Sequence, residues 1–148
     1  MKRWTRIVLT VLTALVGLTA VAGGIALVVG AATSSSLGGA VPGPSYLGGS
    51  PFTSYLAPGL VLGVVVGGTH LLAAVLVGRG ARSGPLAAAV AAFGLLIWIF
   101  VQMMFIPFSF LQAVYFIAGA IELGLVMLLL GLLPVTRSTD ARRRRAEV

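Results

Sequence analysis

The stretch SFLQAVYFIAGAIELGLVMLLLGLLP, residues 109–134, is the part of the sequence from which the fold follows most directly. About 20 apolar residues in a helix cross the hydrocarbon core of a bilayer, and this stretch exceeds that length. One carboxylate, Glu122, lies near its middle. A carboxylate at the centre of a spanning helix is energetically costly, so we expect Glu122 to have a partner, a task or both.

The composition of the whole chain indicates that lipid is its solvent. Hydrophobic residues make up 59% of the 148 residues and charged residues only 9%, with a mean hydropathy of +1.11. Soluble domains carry about 25% charged residues, so this chain cannot cover itself with a polar surface. We therefore expect a single integral membrane domain over residues 1–148, with helices that pack against one another in the bilayer.

Four apolar runs predict an all-α fold, a four-helix transmembrane bundle. Glycine and proline mark most of the boundaries between the runs. The predicted spans cover residues 7–32, 59–77, 85–106 and 110–133. The first run continues well past Ala22, which favours an uncleaved helix. The competing interpretation is a secretory signal peptide that is cleaved near Ala20-Val21-Ala22.

Residues 33–57 connect the first two spans on the outside and carry no charge. Their serine, glycine and proline content excludes a regular helix. Tyr46, Phe52 and Tyr55 are interspersed, and aromatic side chains of this kind suit the membrane interface. Two interpretations stay open, a loop that lies on the lipid headgroups and a plain flexible connector.

The basic residues predict the orientation of the bundle. All ten lie at the head of the chain, in the loop between the second and third spans, or in the tail of residues 135–148. Lysine and arginine favour the cytoplasmic side, and both termini in the cytoplasm satisfy all three clusters. We expect a multi-pass protein of the cytoplasmic (inner) cell membrane, N-in and C-in.

The tail contains four consecutive arginines, Arg142, Arg143, Arg144 and Arg145. Near an anionic leaflet each basic residue contributes roughly 1 kcal/mol of binding, so we expect these side chains to contact anionic lipids at the cytoplasmic face. Nucleic acid is the alternative partner, but its binding also needs a folded basic surface or aromatic platforms. The tail offers neither, and we expect no nucleic-acid partner.

A glycine stripe of Gly59, Gly63 and Gly67 recurs at every fourth position of the second span. Residues at this spacing share one side of a helix, and the missing side chains let another backbone approach closely. We favour a tight helix contact within one chain. The alternatives are a homodimer seam at the stripe and, for the protein as a whole, a membrane-protein partner.

Two polar residues of the spans are predicted to meet near the midplane. His70 lies eleven residues after Gly59 and Glu122 twelve residues after Phe110, in spans that run in the same direction. The two side chains therefore lie at about the same depth. His70 also lies seven residues after Gly63, on the glycine-stripe side of its helix. We expect His70 and Glu122 to face each other across the close contact made by the stripe.

The glutamines predict a second pair. Gln102 lies five residues before Pro107 and Gln112 five residues after it, so a helical hairpin brings the two amides together near the outer surface. Tyr115 and Glu122 continue from Gln112 along nearly one face.

The candidate intramembrane polar cluster contains His70, Gln102, Gln112, Tyr115 and Glu122. In one interpretation these groups satisfy one another and fix the packing of the helices. In the other they line a hydrated path, and a contact with a partner protein or lipid is a third possibility.

The sequence contains no recognisable catalytic, cofactor-binding or metal-ligating set. Cysteine is absent, and the lone histidine with one glutamate provides too few ligands for a metal site. We therefore expect no enzyme activity and no cofactor. A structural or accessory membrane protein is the favoured function. The alternative is a proton-coupled small transporter or channel component that uses Glu122 with His70.

Several short motifs are shared with a known group of proteins. They are GSPFTSYLAPGL at residues 49–60, VGG at 66–68 and, in the fourth span, Leu111-Gln112, Tyr115-Phe116 and Gly119. In these motifs the sequence resembles uncharacterised small four-span integral membrane proteins of high-GC (actinobacterial-type) bacteria. The resemblance covers most of the chain and implies topology but no activity. That group often has an acidic residue between the Phe and the Tyr of the loop motif, where this chain has Thr53-Ser54.

Overall fold

The computed structural model describes residues 2–33, 47–48 and 52–132. Throughout these residues the regular structure is helical, which confirms the predicted all-α fold. Four helices are long and apolar enough to cross a membrane. They are α1 (Lys2–Thr33), α2 (Leu56–Gly78), α3 (Gly84–Phe105) and α4 (Phe110–Leu130).

Three helix boundaries differ from the prediction by a few residues. α1 begins at Lys2 rather than at residue 7, because the short basic head continues the helix. α2 begins at Leu56 rather than at residue 59, since a proline such as Pro58 is tolerated in the first turn of a helix. α4 ends at Leu130 rather than at residue 133, because Gly131 has a φ of 76°. This left-handed conformation closes the helix.

The four helices run antiparallel to their neighbours in sequence and surround one common core. α1 packs against α2 and α4, and α3 packs against the same two helices. α1 and α3 are therefore diagonal to each other, as are α2 and α4. Because the number of spans is even, the start of α1 and the end of α4 lie at the same end of the bundle.

Two apolar clusters fill this core, and each takes side chains from several helices. The basic-end cluster lies toward the loop of residues 79–83 and contains Leu9, Ala73, Val77, Ala88, Ala91 and Val126. The hairpin-end cluster lies toward the α3–α4 turn and contains Val16, Ala20, Val66, Leu95 and Ile99.

The glycine stripe of α2 packs against α1. A Cβ added to Gly59 would lie 2.9 Å from the Gly24 carbonyl oxygen, and one added to Gly67 would lie 3.2 Å from the Gly17 carbonyl oxygen. A Cβ on Gly24 would lie only 2.6 Å from the Gly63 Cα. The two backbones are thus closer than any side chain on Gly24 permits, and the close contact is made within one chain.

A π-helical segment, Val61–Gly67, lies in the middle of α2. Its i→i+5 hydrogen bonds place more residues in each turn than an α-helix has. The direction of His70 relative to Gly63 therefore differs from that in a regular α-helix. The prediction that His70 lies on the side of the glycine stripe is therefore wrong, since the stripe contacts α1 whereas His70 contacts α4.

The two ends of the bundle differ in charge over the described residues. Arg3, Arg6, Arg79 and Arg82 are all exposed at the end where α1 begins and α2 finishes, which we call the basic end. The Arg6 guanidinium lies beside the loop there, since a Cβ added to Gly80 would be 2.8 Å from Arg6 Nη1. The opposite end, which we call the hairpin end, contains the turn of residues 106–109.

Part of the predicted outer loop and the whole predicted tail lie outside the described residues. These include the arginines Arg142, Arg143, Arg144 and Arg145. Within the described part of the loop, Tyr55 is buried and Phe52 is half-buried. Both side chains line a small cavity together with Leu27 of α1.

Candidate functional site

His70 lies on α2 immediately after the π-helical segment and is completely buried. Its ring Nδ1 lies 2.7 Å from the backbone carbonyl oxygen of Val66, one turn earlier. A carbonyl oxygen can only accept a hydrogen bond, so Nδ1 carries a hydrogen and donates it. This local bond holds the orientation of the ring and directs Nε2 toward the bundle centre.

Glu122 lies on α4, diagonally across the bundle from α2, and is also completely buried. Its Oε2 lies 3.2 Å from His70 Nε2. The contact predicted from depth matching is therefore present. It joins two helices that are not adjacent, between the basic-end cluster and the hairpin-end cluster.

The geometry requires one proton in this contact. Because Nδ1 already donates to Val66, Nε2 and Oε2 form a hydrogen bond only if one of them carries a hydrogen. The pair is then either imidazolium with carboxylate or imidazole with carboxylic acid. Both arrangements have no net charge, which lowers the cost of placing the pair in a low-dielectric membrane interior.

The second carboxylate oxygen of Glu122 differs from the first. Oε1 is buried and has no hydrogen-bond partner among the described residues. Thr13 of α1 is likewise fully buried, but its hydroxyl donates to Leu9 O at 2.8 Å within its own helix. Of the fully buried polar side chains Thr13, His70 and Glu122, only Glu122 therefore has an oxygen with no partner among the described residues.

The other members of the predicted polar cluster lie closer to the hairpin end. Gln102, Gln112 and Tyr115 line a cavity of about 250 Å³ that all four helices bound. The lining of this cavity does not include His70 or Glu122.

The predicted amide pair is not formed within the described part of the chain. Gln112 Oε1 instead accepts the Ser109 backbone N–H at 2.9 Å, while Ser109 Oγ accepts the Gln112 N–H at 3.3 Å. This reciprocal capping box satisfies two amide donors at the start of α4. The prediction is wrong because the capping bond forms within one turn of α4 and needs no second helix. An amide pair between Gln102 and Gln112 would need α3 and α4 each to be rotated so that the two side chains face each other.

The polar strip predicted from Gln112 through Tyr115 to Glu122 is also interrupted. Tyr115 and Glu122 are separated by about 10 Å along the helix axis. Ala20, Leu95 and Ile99 of the hairpin-end cluster line the inner part of the cavity. The structure thus divides the five predicted residues into a fully buried pair and a group around the cavity.

Three features of this region were not predicted from the sequence. The capping box has the recognisable signature Ser-x-x-Gln at residues 109–112. Gly17 and Gly24 of α1 are seven residues apart, and this spacing marks them as the surface that meets the glycine stripe. Trp98 has a buried ring Nε1 with no acceptor among the described residues, and no signal in the sequence indicates this.

The chemistry available to the buried pair is narrow. Over the described residues no group of three or more His, Cys, Asp or Glu side chains comes together to hold a metal ion. The pair itself provides one hydrogen-bonded proton, a fixed ring orientation and one unpaired carboxylate oxygen. Those features suit either a packing role or the exchange of a proton.

No protein-family model, no curated protein and no solved structure matches this chain.

Proposed function

We propose that this protein is a small structural or accessory component of a bacterial cell membrane, in which the His70–Glu122 pair fixes the packing of the four helices. The observation that supports this function is the complete burial of both side chains at their 3.2 Å contact. The contact holds the relative depth and rotation of the diagonal helices α2 and α4. Apolar clusters on both sides separate it from water.

The proposed orientation puts the basic end of the bundle in the cytoplasm. Arg3, Arg6, Arg79 and Arg82 are exposed there, and basic residues favour the cytoplasmic side of a membrane. The tail of residues 135–148 follows the end of α4 and starts at the same end. Its arginines, Arg142 to Arg145, would then lie at the anionic leaflet, which binds them electrostatically.

Lipid is the first partner in this proposal, because broad apolar faces of all four helices are exposed. A second membrane protein, or a second copy of this chain, would bind on those same lipid-facing surfaces. The proposal includes no nucleic-acid partner and no enzyme activity.

A double-mutant cycle tests the packing role of the pair. We expect His70→Ala and Glu122→Ala each to lower the free energy of unfolding by about 1–3 kcal/mol, because each leaves a buried polar group unpaired. The double variant should lose less free energy of unfolding than the two single variants lose together. The difference, the coupling free energy, should be about 1 kcal/mol, as for other hydrogen bonds between membrane helices. Unfolding in mixed detergent and lipid provides the measurement.

The matched control is Ile121→Ala, which removes a lipid-facing side chain next to Glu122 on the same helix. Ile121 is 49% exposed, so its removal should change stability much less than removal of Glu122. If the losses caused by His70→Ala and Glu122→Ala simply add up in the double variant, the pair does not link α2 to α4.

A proton-coupled transporter or channel component is the second candidate, and one observation favours it. Glu122 Oε1 is buried and has no partner in the part of the chain that the structure describes. A buried polar group of this kind in a spanning helix is energetically costly and often has a function. The contact also contains one proton, which can pass between Nε2 and Oε2.

Proton flux distinguishes the two functions. Liposomes with the purified protein and a trapped pH-sensitive dye are given a pH gradient, and wild type is compared with Glu122→Gln. The packing role predicts the same rate for both proteins and for protein-free liposomes. A flux present in wild type and lost in a folded Glu122→Gln variant would overturn the packing proposal and support the transporter.

A further inference from the structure

Two cavities lie in the hairpin half of the bundle and share a wall. The larger measures about 250 Å³, and the smaller measures about 100 Å³ and is lined by residues of α1, α2 and α3 together with Leu47, Phe52 and Tyr55. One water molecule needs only about 10–15 Å³ of such space, so both cavities exceed a single water site. Trp98, Gln102 and Ile106 line both of them.

Polar groups with unused hydrogen-bonding capacity converge on the larger cavity. Trp98 Nε1 is a buried donor that finds no acceptor among the described residues. The side chains of Gln102 and Tyr115 line the same space, and neither is hydrogen-bonded to a described residue. Buried polar groups are nearly always paired, so the unsatisfied Trp98 donor, at a cavity that Gln102 and Tyr115 also line, indicates a missing partner.

The lining also restricts the chemistry of that partner. Among the described residues, no charged side chain lines either cavity. The smaller one is walled mainly by apolar side chains, including Leu27, Phe52 and Phe105. An apolar pocket with a few convergent polar groups is the usual form of a small-molecule site. Since the helices that form it are long enough to cross a bilayer, the lipid phase is the source of an occupant.

We propose that these cavities form a binding site for a neutral amphiphile drawn from the membrane. An oxygen acceptor of the ligand, carbonyl or hydroxyl, takes the hydrogen bond from Trp98 Nε1, because an indole can only donate. Gln102 and Tyr115 bind the same polar group. The apolar part of the ligand lies in the smaller cavity. This site is separate from the His70–Glu122 pair and does not depend on the function proposed for it.

Tryptophan fluorescence tests the site directly. The chain has two tryptophans, so Trp4→Phe leaves Trp98 as the only one. The probe is a decyl-substituted benzoquinone, a neutral carbonyl-bearing amphiphile that quenches tryptophan, added to the protein in lipid nanodiscs. We expect quenching of Trp98 to saturate as the mole fraction of the probe rises.

The control has its only tryptophan on the lipid-facing side of the same helix. It combines Trp4→Phe, Trp98→Phe and Phe93→Trp, and Phe93 is 56% exposed. Quenching in this control should rise without saturation, because it reports only the concentration of probe in the bilayer. Matching curves for Trp98 and the control would overturn the proposal and leave the cavities to water.

Competition and two further variants test the role of the hydrogen bonds. Monoolein, which has an ester carbonyl, should reverse the quenching, and hexadecane at the same mole fraction should not. Gln102→Leu and Tyr115→Phe should each raise the half-saturation point by about 2- to 10-fold, the usual effect of losing one hydrogen bond. Equal competition by hexadecane, or no change in either folded variant, would contradict recognition of the acceptor oxygen.

Discussion

At the scale of single residues, the central feature is the His70 ring, which makes a hydrogen bond on each side. The bond of Nδ1 to the Val66 carbonyl limits which hydrogens are available for the contact of Nε2 with Glu122. The Val66 carbonyl oxygen, 2.7 Å from His70 Nδ1, requires a hydrogen on that nitrogen. The contact with Glu122 then needs one more hydrogen, which His70 and Glu122 share. The backbone carbonyl thus keeps a hydrogen on Nδ1, and a hydrogen bond between Nε2 and Oε2 then gives a pair with no net charge.

The tautomer of His70 can be observed directly, because it is the only histidine in the chain. In protein labelled with ¹⁵N-histidine and reconstituted in lipid, we expect the NMR signal of Nδ1 to show a bound hydrogen. Glu122→Ala should leave the Nδ1 signal nearly unchanged and shift that of Nε2, since only Nε2 faces Glu122. A bare Nδ1 in the wild-type protein would contradict the hydrogen bond to Val66.

At the scale of secondary-structure elements, the contact between α1 and α2 depends on glycine in an asymmetric way. A Cβ on Gly24 would lie 2.6 Å from both the Cα and the N of Gly63, and those atoms belong to backbone that cannot move aside. A Cβ on Gly63 would meet nothing closer than 3.5 Å, which is ordinary van der Waals contact. At this contact between α1 and α2, Gly24 is therefore required, whereas Gly63 can be replaced by alanine.

This asymmetry predicts opposite outcomes for two alanine substitutions. We expect Gly24→Ala to lower the free energy of unfolding by about 1–3 kcal/mol or more, because overpacking forces the two backbones apart. Gly63→Ala should be neutral, or stabilising by up to about 1 kcal/mol, since alanine is the better helix former. Thermal unfolding of both purified variants provides the comparison. Equal losses in the two would show that the close contact is elsewhere.

At the scale of the whole molecule, charge and polarity are distributed unequally between the two halves of the bundle. The exposed arginines of the described residues cluster at the basic end, whereas the polar cavity lies in the hairpin half. The His70–Glu122 pair lies between these halves, covered by an apolar cluster on each side. This unequal distribution supports the orientation proposed above, with the basic end in the cytoplasm.

The orientation is testable with single cysteines, because the chain has none of its own. Ser54 and Ser83 are both exposed and lie at opposite ends of the bundle. We expect Ser54→Cys to react with a membrane-impermeant maleimide added to intact cells, and Ser83→Cys to react only after permeabilisation. The reverse pattern would place the basic end outside and contradict the proposed topology.

The depth of a side chain in its span was predictable, but the direction in which it points was only partly so. Counting residues correctly predicted that His70 meets Glu122, because rise along a helix is nearly constant. The same counting placed His70 beside the glycine stripe, where it does not lie. The π-helical segment in α2 changes the rotation of the helix while it alters depth very little.

The glutamines show a second limit of sequence reasoning. Their symmetric spacing about Pro107 correctly brings Gln102 and Gln112 to one cavity. Spacing does not reveal that Gln112 Oε1 is already used by Ser109. A capping bond within one turn competes with a bond between helices, and the local bond needs fewer groups to be ordered.

The sequence by itself determined the number of spanning helices and the depths of their polar groups. These properties depend only on the length and composition of each continuous apolar run, and not on contacts between distant parts of the chain. Only the tertiary structure decided that α1 covers the glycine stripe and that α2 and α4 are diagonal. It also decided that Trp98 has a buried donor with no acceptor among the residues described. These properties depend on the rotation of each helix about its axis and on the order of helices around the core. In lipid that order follows from close packing between distant parts of the chain.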